Sequence, residues 1–181
     1  MLNTHFQGEI TELQVAESFL ALGYQVCKPL VSDSRYDFIV DINHQLYRIQ
    51  VKTSSLSEDE DYIEFKTQSS HTNTQKTVYQ SYSADDIDYF ATMHNHQCYL
   101  VPVDKAGSRS CRLRLKPTKN GQTKNINFAK DFKLEDTFIE SLKKAGVLGS
   151  SPRRRTKSLL LDRSRLSALG EIPRDRPMGC E

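Results

Sequence analysis

The sequence has no long apolar run and no closely spaced pair of cysteines. Its mean hydropathy is -0.59, and no stretch approaches the ~20 apolar residues of a membrane span. The N-terminal residues lack the basic and apolar regions of a signal peptide. The four cysteines form no C-x-x-C motif and no pair with metal-site spacing. We expect a cytoplasmic protein without a membrane partner, in which Cys27, Cys98 and Cys111 are reduced and buried or half-buried.

Charge is distributed unevenly along the 181 residues. Residues 1–150 hold 17 Lys/Arg and 19 Asp/Glu, whereas residues 151–181 hold eight Lys/Arg and four acids. A hydrophobic content of 37% is enough for one core in a chain of this length. We therefore predict a single domain over residues 1–149. Residues 150–181 are predicted to be a basic tail, disordered or foreign to the native domain, and we assign it no function.

Hydrophobic periodicity predicts an α+β domain with a mixed β-sheet flanked by helices. Apolar residues recur at helical spacing from Phe6 to Leu20, and Gly23 is a natural end for that first helix. Residues 68–81 are rich in Gln, Ser, Thr and His, and we expect an exposed loop there that is able to approach a ligand. The strands are predicted at 24–30, 36–42, 45–53, 62–67, 87–92, 98–103, 112–116 and 124–128, and a second helix at 134–144.

The hairpin formed by residues 36–42 and 45–53 is the most informative part of the chain. If Ile42 faces Gln45 across the turn at Asn43-His44, Asp37 lies opposite Gln50. Side chains alternate between the faces of a strand, so Asp37, Gln50 and Lys52 share one face. The other face is apolar and consists of Phe38, Val40, Ile49 and Val51.

The polar face has two interpretations. An Asp and a Lys on one strand face are usually a solvated surface with a salt bridge worth under ~1 kcal/mol. Here apolar residues occupy both faces of the strands. Polar groups buried there would cost free energy unless they are paired or take part in a functional site. We therefore favour a site that gathers a carboxylate, an amide oxygen and an ammonium group.

This arrangement resembles the PD-(D/E)XK nuclease superfamily. Asp37 stands at the acidic position of the first strand, and Gln50-Val51-Lys52 fills the (D/E)-X-K positions of the second. Glu12, on the helix that begins near Gly8-Glu9-Ile10, is similar to an acidic residue that many members carry before the hairpin. The ordered combination is similar to the branch that contains a bacterial group I intron homing endonuclease. The resemblance covers roughly residues 5–105 and implies a restriction-endonuclease-like core.

The chemistry of these side chains agrees with that resemblance. Glu12, Asp37 and Gln50 offer oxygen ligands, which a hard divalent cation such as Mg²⁺, with Mn²⁺ as an alternative, prefers. Lys52 is a compact charge that could orient a water molecule or stabilise a phosphorane-like transition state. Gln50 replaces the usual acidic residue, which removes one negative charge and leaves the number of metal ions open. The predicted catalytic residues are Glu12, Asp37, Gln50 and Lys52.

Residues 105–124 carry seven basic side chains and no acid, a pattern that attracts a phosphate backbone. Arg112 and Arg114 alternate with leucines, so a strand could present both guanidinium groups to the major groove of double-stranded DNA. Arg35 precedes Asp37 by two residues and could hold a phosphate or pair with Asp33. The candidate DNA-binding residues are Arg35, Lys76, Lys105, Arg109, Arg112, Arg114, Lys116, Lys119 and Lys124.

These features together predict a Mg²⁺-dependent, site-specific DNA endonuclease. Cutting both strands of a duplex requires two active sites, which a two-fold dimer supplies, and the resemblance implies a homo-oligomer that is a dimer or a tetramer. A Holliday-junction resolvase with the same site, and a non-catalytic DNA-binding module in which Gln50 marks lost chemistry, are the two alternatives.

Overall fold

The fold is described from a computed structural model that covers residues 3–31, 33–42, 44–72, 76–118 and 121–135. The chain divides into a unit of residues 1–150 and a unit of residues 151–181, and all described residues belong to the first. The predicted basic tail and nearly all of the helix predicted at 134–144 lie outside the described residues. The elements are α1 Thr4–Ala21, β1 Gln25–Cys27, β2 Phe38–Ile42, β3 Gln45–Val51, β4 Ser55–Leu56, β5 Tyr62–Lys66, β6 Gln68–Thr72, β7 Thr77–Ser81, β8 Tyr89–His94, β9 Gln97–Pro102 and β10 Ser110–Arg114.

Both ends of α1 are set by local sequence. The Asn3 side chain accepts a hydrogen bond from the His5 backbone N–H at 3.1 Å, which satisfies one free donor of the first turn. At the other end Gly23 has a φ of +84°, and its N–H donates to the Leu20 carbonyl at 2.9 Å. A left-handed glycine ends a helix at little steric cost, and the predicted termination is confirmed.

The first helix carries apolar residues on two opposite faces. Thr11, Val15 and Phe19 are buried against the sheet. The spacing of 3.6 residues per turn places another set on the far side. That outward set, which we call the α1 stripe, keeps much of its surface in solvent and comprises Phe6 (63% exposed), Ile10 (40%), Leu13 (69%) and Leu20 (58%). Only part of the apolar periodicity therefore serves the core of the described domain.

The central sheet is mixed and has the strand order β1-β2-β3-β8-β9. Strands β3 and β8 pair in parallel, and the other neighbours pair antiparallel. Within the hairpin, Phe38 lies opposite Ile49 and Ile42 opposite Gln45, so the predicted register is confirmed. The predicted apolar face is also confirmed, because its residues are buried with Val15 and Phe19 of α1 in one core cluster.

Two smaller sheets depart from the predicted elements. Residues 68–72 and 77–81, which were predicted to belong to a loop, are strands, because β6 and β7 pair antiparallel as a two-stranded ribbon. Every residue of β7 is exposed. The strand predicted at 124–128 is absent from the described residues, where Phe128 forms only an isolated parallel bridge with Arg114. Strand β10 pairs with β5, which in turn pairs with β4.

A second core cluster lies under β5, β8, β9 and β10, with Ile63, Phe90 and Leu113 among its buried residues. Cys111 is buried in this cluster and Cys98 in the first one. Burial raises the pKa of the Cys98 thiol to about 12 and that of Cys111 to about 11, so both are expected to be unreactive. Cys27 is exposed, which corrects the expectation of burial at that position. Within the described part of the chain, no helix has the length and apolar character needed to span a membrane.

Candidate active site

The predicted polar face brings Asp37 and Gln50 into direct contact. The Gln50 Nε2 donates a hydrogen bond of 2.5 Å to Asp37 Oδ2, and the Val51 backbone N–H donates to the same oxygen at 2.7 Å. Gln50 is 7% exposed, and its Nε2 also donates to the Val51 carbonyl at 3.2 Å. The sequence places Asp37 immediately before β2, where the strand register aligns it with the end of β3.

Burial and a second acid hold the pKa of Asp37 above its ordinary value. The pKa is raised to about 6, with desolvation as the largest cause and the Glu12 carboxylate as a further contribution to the rise. Three contacts lower the pKa of Asp37 without cancelling this rise: the hydrogen bond from Val51, the charge of Lys52 and the hydrogen bond from Gln50. The protein therefore concentrates negative charge at a place that solvates it poorly, and a cation there would relieve the cost.

Glu12 of α1 lies close enough to Asp37 to raise its pKa, and its ion-pair partner Lys28 was not predicted from the sequence. The Lys28 Nζ lies 2.9 Å from Glu12 Oε2 and 5.8 Å from the centroid of the Phe38 ring. The hydrogen bond to Glu12 is the main cause of a raised pKa at Lys28, and Glu9 and Asp37 add to it. No spacing or motif singles out Lys28, because only the folded chain brings β1 beside the helix.

The side chain of Lys52 is half-buried and lies within electrostatic reach of Asp37. Burial is the main cause of a lowered pKa at Lys52, opposed by the Asp37 charge and assisted by Arg35. Its Nζ donates to the Tyr82 hydroxyl at 3.3 Å. The backbone beyond the site is fixed as well, because the hydroxyl groups of Thr53 and the buried Thr11 lie 3.2 Å apart.

Arg35 contacts protein groups on three sides. Its Nε donates to Asp86 Oδ1 at 3.3 Å, its Nη1 to Ser69 Oγ at 2.8 Å and its Nη2 to the Ser81 carbonyl at 2.9 Å. The acid paired with Arg35 is therefore Asp86. Asp33, which the sequence suggested as a possible partner, does not form this ion pair. These bonds join the segment before β2 to the β6–β7 ribbon.

The donor set fits a hard divalent cation. Glu12, Asp37 and Gln50 supply oxygen atoms, and one oxygen of each side chain receives no hydrogen bond from a described residue. Mg²⁺ and Mn²⁺ prefer carboxylate and carbonyl oxygens. No cluster of three or more His, Cys, Asp or Glu side chains with metal-site geometry occurs in the described ranges. Any ion here would therefore depend on two carboxylates and the amide oxygen.

The basic residues after β9 are partly neutralised by acids. Arg112 and Arg114 do share one side of β10, but Arg112 pairs with Glu64 at 3.2 Å and Arg114 with Asp61 at 3.1 Å. Lys116 lies 3.8 Å from the same Asp61. These acids come from the β4–β5 region, which is far from β10 in the sequence. They make the net positive field near β10 weaker than the count of basic residues indicated.

The remaining basic candidates occupy different positions. Lys105, Arg109 and Lys124 are exposed and form no ion pair with any residue that the structure describes. Lys76 is exposed next to the start of β7. Lys119 lies outside the described residues. A groove of about 480 Å³ runs beside β10 and is lined by Tyr62, Ser110, Arg112, Arg114, Asn125, Ile126 and Asn127.

Comparisons with known proteins agree with this geometry. A family model described as PD-(D/E)XK endonuclease matches residues 2–135. Among solved structures, the bacterial homing endonuclease I-Ssp6803I matches with a TM-score of 0.65 and 23% identity, covering 82% of this chain and 100% of that one. This likeness confirms the predicted fold, and comparison with curated protein sequences gives no match. Because the family model spans well over half of the sequence, this chain belongs to the PD-(D/E)XK endonuclease family.

Proposed function

We propose that this protein is a metal-dependent, site-specific DNA endonuclease that cuts both strands of a long duplex target, as a homing endonuclease does. The contact between Asp37 and Gln50 carries the proposal, because it gathers metal-ligand oxygens beside Lys52. The structural similarity to a bacterial homing endonuclease supports the choice of target class.

Glu12, Asp37 and Gln50 are the residues that would hold Mg²⁺, or Mn²⁺ in its place. When bound, such an ion lowers the pKa of a water ligand and offsets charge on a scissile phosphate. Asp37 is pre-aligned for this role by the hydrogen bonds that Val51 and Gln50 donate to Oδ2. The same bonds hold the carboxylate in one orientation, so little reorganisation is needed when substrate arrives.

Lys52 supplies the positive charge that the chemistry needs on the substrate side. Its ammonium group can orient the attacking water or stabilise charge that develops on the phosphate. Burial lowers its pKa, which favours proton exchange with a neighbouring group more than in an exposed lysine. Lys28 balances Glu12 in the absence of an ion and is exposed enough to move away.

Two surfaces are suited to duplex DNA. The β6–β7 ribbon projects with one strand fully exposed, and two-stranded ribbons fit the major groove. The exposed Lys105, Arg109 and Lys124 supply phosphate contacts on the side of β10. Arg112 and Arg114 can join them only by exchanging their ion pairs with Glu64 and Asp61 for DNA phosphates.

We further propose that the α1 stripe is the surface on which a second copy of this chain binds. Its residues recur at spacings of three, four and seven, which is the pattern of a helix that packs against another helix. One copy carries one set of site residues, so cleavage of two strands requires a second copy. A dimer satisfies this need, and a tetramer is the larger assembly that the family resemblance implies.

Selection from a random duplex library tests the function. Incubation with Mg²⁺ is expected to yield cleaved products that share a symmetric target, and the Lys52→Ala variant is expected to leave the same library intact. Activity that survives this substitution would contradict the assignment of Lys52. Binding without cleavage by the wild type would favour the non-catalytic DNA-binding module, and cleavage of four-way junctions in preference to duplex would favour a resolvase.

A further inference from the structure

The ring of Tyr82 lies close to two cationic side chains that come from different parts of the chain. The Arg35 Cζ is 4.0 Å from the ring centroid, and the Lys52 Nζ is 5.0 Å from it. The same Nζ donates to the Tyr82 hydroxyl at 3.3 Å. We propose that Tyr82 is the positioning residue for Lys52, which rests on the proposed function of Lys52 in DNA cleavage.

Lys52 needs such a contact because its own chain does not fix the ammonium group. Its backbone is held by a hydrogen bond from the Lys52 N–H to the Ala91 carbonyl at 2.9 Å. The four-carbon side chain beyond it loses considerable rotational entropy when it is ordered. Among the described residues, the Tyr82 hydroxyl is the hydrogen-bond acceptor of Nζ. Without it, Nζ would be free to sample several rotamers.

The ring of Tyr82 also compensates for a repulsive neighbour. Arg35 and Lys52 are both cationic, and the Arg35 charge contributes to the lowered pKa of Lys52. The face of an aromatic ring attracts cations, so the Tyr82 ring stabilises both groups where water is partly excluded. A leucine of similar volume would fill the space but would give neither the attraction nor the hydrogen-bond acceptor.

Tyr82 is itself fixed from two sides. Its ring packs edge-on against the buried Phe90, with centroids 5.4 Å apart and planes at 86°. Arg35, whose Cζ lies 4.0 Å from the ring centroid, donates from Nη1 to Ser69 Oγ of the ribbon, and Tyr82 follows directly after β7. The position of the ribbon thus sets the position of the tyrosine, and through it the position of the lysine.

Two substitutions of Tyr82 separate the contribution of its hydroxyl group from that of its ring. In Tyr82→Phe the ring still packs on Phe90 and Arg35, but the acceptor for Lys52 is gone. Tyr99→Phe is the matched control, because it removes a hydroxyl from a buried tyrosine in the same core cluster. We expect the single-turnover cleavage rate of Tyr82→Phe to fall about tenfold, as for the loss of one hydrogen bond to a charged group. DNA affinity measured with Ca²⁺ and the melting temperature are expected to match those of Tyr99→Phe.

An NMR measurement tests the positioning itself, independently of cleavage. With lysine labelled at the ε carbon, an immobilised Lys52 is expected to show two inequivalent ε protons, assigned by their loss in Lys52→Met. In Tyr82→Phe the two ε-proton signals are expected to merge. In Tyr82→Leu, where the ring is absent, they are expected to lie at the chemical shift of a lysine with no aromatic neighbour. A wild type that cleaves no DNA would contradict the proposed function alone. Inequivalent signals and full cleavage in Tyr82→Phe would overturn the role of Tyr82.

Discussion

The Gln50 amide donates a 2.5 Å hydrogen bond to the Asp37 carboxylate at the open end of the β2–β3 hairpin. In a pattern of acidic residue and (D/E)-X-K, this amide stands where a second carboxylate is usual. The substitution removes a repulsion that a buried pair of carboxylates would feel, and Asp37 still has a pKa raised to about 6. The pair therefore carries less negative charge than the (D/E)-X-K pattern would give it.

The first prediction concerns the pH dependence of stability in the absence of metal ions. The pKa of Asp37 is raised from 3.8 to about 6 on folding, so the folded state binds an extra proton between those pH values. The free energy of unfolding of the wild type is expected to fall as pH rises through this range. Asp37→Asn does not titrate, so above pH 6 it is expected to be more stable than the wild type by up to about 2 kcal/mol.

Urea denaturation in EDTA at several pH values measures this difference. It should disappear about one pH unit below 3.8, where Asp37 is protonated in both the folded and unfolded states. Asp33→Asn, at an exposed acid outside the site, is the control and is expected to show a smaller change. An Asp37→Asn protein that is less stable than the wild type at pH 8 would contradict the burial argument.

The second prediction concerns the response of stability to divalent ions. A ligand that binds only the folded state stabilises it by about 2.7 kcal/mol when present at one hundred times its Kd. We expect Mn²⁺ or Mg²⁺ to raise the melting temperature of the wild type, and to have almost no effect on an Asp37→Asn, Glu12→Gln double variant. Differential scanning calorimetry with ion titration measures the shift. Equal shifts in both proteins would place the binding site elsewhere.

The third prediction concerns restoring the acidic residue. Gln50→Glu puts a second carboxylate against Asp37 in a buried site, where like charges raise each other's pKa. We expect the metal-free variant to be less stable than the wild type at pH 8 and to bind Mn²⁺ more tightly. Isothermal titration calorimetry gives the affinity, with the neutral Gln50→Asn as the control. An affinity no tighter than that of the wild type would show that residue 50 does not contact the ion.

The fourth prediction concerns the α1 stripe. Leu13→Glu places a charge at its centre, where burial against a second copy would be costly. We expect light scattering after size exclusion to show an oligomer for the wild type and a smaller species for this variant. Leu46→Glu introduces the same change at an exposed leucine of the hairpin and is expected to leave the mass unchanged. A wild-type protein that is monomeric at high concentration would refute the proposed dimer.

The sequence predicted the hairpin register and its two faces correctly because a short turn fixes both. Once Ile42 faces Gln45, every other pair follows, including the approach of Asp37 to Gln50. The end of α1 at Gly23 was also predicted correctly, because its signal lies in the local sequence. Such features depend on neighbouring residues, and the physical rules that govern them are short-range.

The features that the sequence analysis missed depend on distant parts of the chain. Lys28 and Tyr82 enter the site from β1 and from the end of β7, and no periodic pattern marks either of them. The β6–β7 ribbon is polar apart from the adjacent Val78 and Tyr79, so its pairing left no alternating hydrophobic signal. The acids that neutralise Arg112 and Arg114 come from the other strand of a non-local pair. Charge counts along the sequence cannot reveal such pairing.

The central claim is that Glu12, Asp37 and Gln50 hold one divalent cation between α1 and the β2–β3 hairpin. Crystals grown with Mn²⁺ and measured at its absorption edge test this most directly, since the anomalous signal marks the ion without ambiguity. We expect an anomalous peak about 2 Å from oxygens of Asp37 and Gln50, with Glu12 a direct or water-mediated neighbour. No peak beside Asp37 in a crystal that holds Mn²⁺ elsewhere would contradict it.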